Sequence, residues 1–108
     1  MVSSAAGSFA VVTDPEQSVS KMHELAYTSS KAALNMITVR YAQALPNIKF
    51  NAITPGEVVN RKFTATDMNN HTGRLTVAEG TDPIIELATL DADGPTGIFV
   101  DRLGPVAW

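Results

Sequence analysis

Two side chains four residues apart have the types needed to move a proton. Tyr27 and Lys31 lie in Tyr27-Thr28-Ser29-Ser30-Lys31-Ala32-Ala33-Leu34-Asn35. On a helix that spacing puts them on one face, with Cβ atoms about 5–6 Å apart. A free phenol has a pKa of about 10, too high for easy proton exchange near neutrality. A neighbouring ammonium favours the phenolate, which suits the phenol to general acid–base work. Taken alone, the pair also describes a half-buried aromatic beside a lysine that lays its stem along apolar surface. The other chemistry-bearing residues read more blandly. His23 precedes Tyr27 by four, and a solvated histidine at a helix end is its plain reading. His71, in Asn69-Asn70-His71-Thr72-Gly73, reads as a loop residue. Two histidines among scattered carboxylates make no metal site. Asp91 and Asp93 flank a turn, where solvated carboxylates are the default. Trp108 reads as a cover for apolar surface.

The elements that must position the pair follow from pattern. Residues 1–4, Met-Val-Ser-Ser, read as the end of a strand. Residues 5–22 are polar and punctuated by Gly7, Asp14 and Pro15, so they read as a long loop with one short helical turn. A helix is expected over about 24–45. Leu34, Ile37, Tyr41 and Leu45 line one face of it, its alanines favour helix, and Pro46-Asn47 stops it. Ile48 to Ile53 alternates apolar and polar like a strand, and Thr54-Pro55-Gly56 ends that strand. Residues 57–75 read as an irregular excursion or lid. Thr76-Val77-Ala78-Glu79 is a capping box that opens a second helix. Pro83 is expected to break or kink that helix, unless Asp82 caps a fresh start with Pro83 as its first residue. Asp93-Gly94-Pro95-Thr96 is a turn, and Gly97-Ile98-Phe99-Val100 a short buried strand. Strand, helix, strand, helix, strand implies parallel strands joined by crossovers, an α/β sheet.

Composition narrows the function classes. The 108 residues carry a net charge of −3, with 44% hydrophobic and 18% charged residues. That composition allows a packed core and argues against disorder. Mild acidity argues against a nucleic-acid or anionic-membrane surface, since both use clustered Lys and Arg. There is no cysteine, which excludes disulfides, thiol catalysis and thiolate metal sites and fits a cytoplasmic protein. The longest aliphatic-aromatic run, Phe9 to Val12, is far too short to cross a bilayer.

Four segments in order carry a resemblance: Ser3-Ser4-Ala5-Ala6-Gly7 at a strand end, Tyr27 to Asn35 opening a helix, Asn51-Ala52-Ile53-Thr54-Pro55-Gly56 ending the next strand, and Asp93-Gly94-Pro95-Thr96-Gly97 leading into the last. Together they resemble the C-terminal half of a short-chain dehydrogenase/reductase, of the carbonyl-reductase-like kind in which a longer segment separates serine from tyrosine. The resemblance covers essentially the whole chain. It implies the C-terminal portion of a Rossmann-type doubly wound parallel sheet, with residues 1–108 as a partial domain. It implies an NAD(P)-dependent oxidoreductase that reduces a carbonyl or oxidises an alcohol of a small molecule.

The roles come from the same resemblance. Tyr27 is the acid that protonates the substrate oxygen as hydride arrives, and with Lys31 it is also among the cofactor-binding residues. Lys31 assists it and holds the nicotinamide ribose hydroxyls. Ser4 hydrogen-bonds the substrate oxygen, with Ser3 as the neighbouring alternative. Pro55 and Gly56 line the nicotinamide side of the cleft, beyond the carboxyl ends of the strands. Thr66 is the first choice for a threonine contacting the cofactor and Thr64 the second, with Glu57 to Phe63 intervening between Gly56 and them. No metal is implied. The cofactor is NADP or NAD, with NADPH ahead.

One part of the family pattern is missing. The chain has 7 glycines, at 7, 56, 73, 80, 94, 97 and 104, and no two are separated by a single residue. The glycine-rich turn that lets a helix N-terminus meet the cofactor pyrophosphate is therefore not in it. The family's catalytic asparagine, on the helix before the serine strand, is also missing, and Asn35 is on the wrong helix to replace it. The expectation is a chain that starts within the fifth of seven strands, lacks the nucleotide-binding half and is inactive in isolation. The alternative is a non-catalytic fragment or interaction module that pairs with related subunits. Family members form oligomers through the tyrosine helix and last strand, and a long segment such as 5–22 can cover that surface and leave a monomer.

Overall fold

The computed structural model describes residues 1–21, 23–56 and 63–108. Its longest element is a 20-residue helix, α2, Leu25–Ala44. This is the helix expected over 24–45. It is preceded by a 3-10 turn at Ala5–Gly7, a short helix α1 at Phe9–Thr13 and a second 3-10 turn at Ser18–Lys21. The loop expected over 5–22 is thus mostly helical turns. The signals for them are caps: the Ser4 Oγ accepts from the Ala6 N–H at 3.2 Å, and the Ser8 Oγ accepts from the Val11 N–H at 3.0 Å. Each satisfies an amide that its short helix leaves without a partner.

The sheet holds β1 (Ala52–Ile53), β2 (Phe99–Asp101) and β3 (Gly104–Pro105) in that order. β1 and β2 run parallel, with Ala52 opposite Phe99 and Ile53 opposite Val100. On the other side of β1, Val2 bridges to Ile53 in parallel and the Ser3 N–H donates to the Ile53 carbonyl at 2.7 Å. Three parallel segments therefore lie side by side, as the alternation of elements requires. The all-parallel expectation needs correction at the edge, because β3 pairs antiparallel with β2 through Val100–Pro105 and Asp101–Gly104. The Asp101 carboxylate makes that hairpin by accepting from the Leu103 and Gly104 N–H groups at 2.8 and 3.1 Å. A two-residue strand built on a side-chain turn leaves no periodicity to read.

The strand expected over 48–53 is regular only at Ala52–Ile53. Upstream, the Gly97 N–H still donates to the Phe50 carbonyl at 2.8 Å, and side chains add to the pairing. The Phe50 N–H donates to the Thr96 Oγ1 at 3.0 Å, the Lys49 ammonium bonds the Gly94 carbonyl, and the Asn51 amide donates to the Pro95 carbonyl at 2.9 Å and accepts from the Ile98 N–H at 3.2 Å. These bonds set the turn before β2 against the end of β1.

Helix α3, Val77–Ala88, starts at the expected capping box: Thr76 accepts from the Glu79 N–H at 3.2 Å, and Glu79 accepts from the Thr76 N–H at 2.8 Å. Pro83 lies inside it, buried, and the helix runs through without a fresh start. The proline removes one internal hydrogen bond, and its ring instead fills buried space on the face turned inward. Glu57 to Lys62, the larger part of the segment that intervenes before the two threonines, lie outside the described residues. From Phe63 on, the excursion is pinned by a parallel bridge between Thr64 and Leu75 and by a 3-10 turn at Asp67–Asn69. Among the described residues no helix is long and apolar enough to cross a membrane.

Two packed groups hold these elements. Ala5, Ala6, Val11 and Val19 form a small cluster, with Val12, Tyr27 and Val106 against it. Ala52, Ile53, Leu75 and Phe99 are the buried apolar residues around the strands. Trp108 stacks on Phe99 with ring centroids 5.4 Å apart, while the Ala107 carbonyl accepts from the Ser8 Oγ at 2.7 Å. Trp108 does cover apolar surface, as expected. Helix α2 buries Asn35 and Thr38, whereas Met36, Ile37 and Tyr41 are 60%, 44% and 48% exposed. Its apolar stripe is only partly covered. The inward face is small and polar because the Ala5–Gly7 turn lies directly on it. A Cβ at Gly7 would come 2.5 Å from the Lys31 carbonyl carbon and 2.8 Å from the Ala32 nitrogen, closer than atoms can approach.

Two stability predictions follow from these contacts. Gly7→Ala must push the turn off α2, and chemical denaturation is expected to show a loss of about 1–3 kcal/mol, the usual cost of overpacking. Thr76→Ala removes the cap of α3 and is expected to cost about 1 kcal/mol in the same assay. An unchanged midpoint in either variant contradicts the corresponding contact.

Candidate active site

Tyr27 and Lys31 occupy the first two turns of α2. The Lys31 ammonium lies 5.7 Å from the Tyr27 ring centroid and donates to the Val2 carbonyl at 3.2 Å. The expected i, i+4 pairing is therefore present, and the ammonium also ties α2 to the segment that leads into the two serines. Distance and placement over the ring fit a cation–π contact.

The two serines point to different places. Ser3 is buried, and its Oγ donates to the Asn35 Oδ1. Ser4 is half-buried and heads the Ala5–Gly7 turn. Ser4 and Tyr27 line one cavity of about 320 Å³. Val19 and Glu24 complete its near wall, and Phe63, Asn69, Thr72 and Gly73 close it from the excursion. The serine end, the helix start and the described part of the lid thus meet around one space. Glu24 is the only charged side chain among those lining residues.

Pro55 and Gly56 follow β1 directly. Gly56 is buried and Pro55 half-buried. The Pro55 carbonyl accepts from the Thr64 Oγ1 at 2.8 Å. Thr66 instead is exposed ahead of the Asp67–Asn69 turn, where its N–H donates to the Asn69 Oδ1 at 3.0 Å. Of the two threonines, Thr64 rather than Thr66 is the one held at the end of β1. Helix α3 presses on it: a Cβ at Gly80 would come 2.2 Å from the Thr64 Oγ1.

The histidines join none of this. His23 is exposed ahead of α2. His71 pairs with Asp67 at 2.9 Å, both on the surface. No group of three or more His, Asp or Glu side chains able to hold a metal ion occurs among the described residues.

Three residues gain importance only here. Gly7 and Gly80 permit close approaches that a sequence cannot announce. Asn35 is buried, and its side-chain amide donates to the Gly7 carbonyl at 3.0 Å while its oxygen accepts from Ser3. Its sequence signal was the step of four after Lys31, which continues the face that begins at Tyr27.

No family profile matches the chain. Individual proteins do. (+)-Neomenthol dehydrogenase of Capsicum annuum is 40% identical over 77 residues, which is 71% of this chain and 23% of that protein. Short-chain dehydrogenase/reductase 1 of Saponaria officinalis is 40% identical over 77 residues, covering 71% of this chain and 24% of its own length. The chain spans about a quarter of the length of these curated relatives. Among solved structures, the NADPH-bound carbonyl reductase from chicken fatty liver superposes with a TM-score of 0.74 at 29% identity, covering 99% of this chain and 41% of that one. Matching sequence over most of its length, and a matching fold over nearly all of it, make this chain a carbonyl-reductase-like stretch of the short-chain dehydrogenase/reductase family of oxidoreductases.

Proposed function

We propose that this sequence carries the proton-transfer end of an NAD(P)-dependent oxidoreductase that interconverts a small-molecule carbonyl and its alcohol. The observation that supports it best is the shared cavity, which puts the Ser4 and Tyr27 side chains against one space with Lys31 over the tyrosine ring. At about 320 Å³ the cavity is within the range of small-ligand sites, which start at about 300 Å³.

In the reducing direction Tyr27 donates its phenolic proton to the carbonyl oxygen. No described residue accepts that proton in the structure, so the hydroxyl is available. Ser4 donates a hydrogen bond to the same oxygen, which orients the carbonyl and stabilises the charge that builds on it. When bound, a nicotinamide cofactor supplies hydride to the carbonyl carbon, so the C=O becomes CH–OH with Tyr27 left as phenolate. Lys31 holds the ribose hydroxyls. An ammonium has three donors, and among the described residues it bonds Val2 alone, which leaves donors to offer the sugar. Pro55 and Gly56 line the nicotinamide side, with Thr64 a better candidate than Thr66 because it is bonded to Pro55. The residues at hand thus fit the nicotinamide–ribose end of the cofactor. They do not fit its pyrophosphate, for want of two glycines one residue apart. That part of the site has to come from a nucleotide-binding half. NADPH is favoured over NADH by likeness to the NADPH-bound carbonyl reductase.

A second reading has its own observation. The open stripe of Met36, Ile37 and Tyr41 on α2 favours pairing with another polypeptide, and a non-catalytic pairing module would need nothing more.

Titration with NADPH and assay of carbonyl reduction separate the two. The 108-residue chain alone is expected to show neither saturable NADPH binding nor turnover. Joined to a nucleotide-binding half it is expected to show both. Tyr27→Phe is then expected to lower kcat by about 10²–10⁴-fold, with NADPH affinity little changed. Turnover that survives Tyr27→Phe overturns the acid–base reading. Failure to bind NADPH even with that half present favours the pairing module.

A further inference from the structure

We propose that Asn35 is a positioning residue that holds Ser4 in register with Tyr27 by clamping both ends of the serine turn onto α2. The clamp itself rests on geometry alone; its consequence for turnover rests on the acid–base reading above.

Ser4 belongs to the five-residue segment Ser3–Gly7, which has a bond to Asn35 at each end. The Asn35 Oδ1 accepts from the Ser3 Oγ, and the Asn35 Nδ2 donates to the Gly7 carbonyl at 3.0 Å. Between those anchors the turn closes on itself, with the Gly7 N–H donating to the Ser4 carbonyl at 2.9 Å and the Ser8 N–H to the Ala5 carbonyl at 3.0 Å. While the Ser3 N–H bond to the Ile53 carbonyl holds the entry to the sheet, this one side chain holds both ends of the turn to α2. Its own position is fixed as well, because it is buried and two helical turns along the face that carries Tyr27 and Lys31. The other buried polar side chain of α2, Thr38, bonds back to the Leu34 carbonyl of its own helix at 2.8 Å and bonds no described residue of the turn.

Only an amide of this length meets both demands, since one end must accept and the other donate. A carboxylate at 35 would keep the bond from Ser3 but set an acceptor against the Gly7 carbonyl. A leucine would leave the Ser3 hydroxyl and the Gly7 carbonyl buried without it. A buried asparagine in mid-helix has a poor propensity for that place, so a tertiary role is what accounts for it. The close contact at Gly7 cannot substitute: it lets the turn touch α2, but a van der Waals contact does not set the turn's rotation or its slide along the helix.

The test is backbone amide hydrogen exchange on the protein carrying Asn35→Asp. Exchange at the Gly7 and Ser8 amides is expected to accelerate at least about tenfold. The Tyr41 amide of α2 and the Ala52 and Thr54 amides paired to the β2 segment are expected to stay within about threefold. Unchanged exchange at Gly7 and Ser8 overturns the proposal, and so does equal acceleration everywhere, which marks general destabilisation. If Asn35→Asp does not fold, Ser3→Ala deletes one hydroxyl and decides by the same readout.

Turnover, measured with the nucleotide-binding half present, supplies the second arm. Asn35→Asp is expected to lower kcat about tenfold or more and to leave the KM for cofactor within about threefold. Adding Ser3→Ala to it should cause little further loss, because both act through one clamp. Losses that multiply overturn the proposal. If Tyr27→Phe abolishes turnover while Asn35→Asp leaves kcat unchanged, the clamp's catalytic role falls and the acid–base reading stands. If Tyr27→Phe leaves turnover intact, the acid–base reading falls and the exchange pattern alone decides the clamp.

Discussion

The contact between the Ala5–Gly7 turn and the backbone of α2 at Lys31 is the constraint on which the candidate site depends. It brings two segments more than twenty residues apart to the limit of atomic approach, where not even a methyl group fits. A contact that close is possible only because alanines and a glycine face a helix surface of small and polar residues. It sets the distance between the serine strand and the tyrosine helix, and through it the width of the cavity that Ser4 and Tyr27 share. The Lys31–Val2 and Asn35–Ser3 bonds then fix the angle. Close packing supplies the distance and directional bonds supply the register, a division that follows from the physics of each.

The rest of the described fold serves that contact from either side. Ile53 is paired on both flanks, with Val2 and with Val100. Its N–H donates to the Met1 carbonyl and its carbonyl accepts from the Ser3 N–H, so the strand end that feeds the serines is held in line with the end of β1. The Thr64–Pro55 bond and the close approach of Gly80 hold the far end of the excursion at the same edge. The carboxyl ends of parallel segments thus converge with the start of α2, which is the place where α/β sheets bind ligands. The opposite face of α2 is unlike this one. Its apolar stripe lies open, so the helix is tied down by polar bonds at its start and not by burial of its most hydrophobic residues.

Much of this arrangement was legible in the residues. The span of α2 is within a residue of the one expected, because alanine-rich periodicity ending in a proline is a strong local signal. The Thr76–Glu79 box marks the start of α3 for a similar reason: four consecutive residues contain the whole device. The parallel pairing of the Ala52 and Phe99 segments followed from the order of elements. What escaped were devices with few residues or long reach. The 3-10 turn and α1 are held by Ser4 and Ser8 caps within polar sequence that looked like loop. β3 depends on one aspartate side chain. Pro83, expected to break or kink its helix, does not break it: α3 runs on around the buried ring.

By itself, the sequence determined that Tyr27 and Lys31 share a helix face, that a serine pair ends a strand, and that no glycine-rich phosphate turn is present. Each is a statement about residues near one another in the chain, where spacing and backbone geometry suffice. Only the tertiary structure decided that Ser4 lines a cavity with Tyr27 while Ser3 is buried against Asn35, that Thr64 rather than Thr66 lies at Pro55, and that Asn35 spans the gap between helix and turn. Those outcomes depend on where separate segments come to rest, and packing and long-range hydrogen bonds set that position without leaving a local pattern.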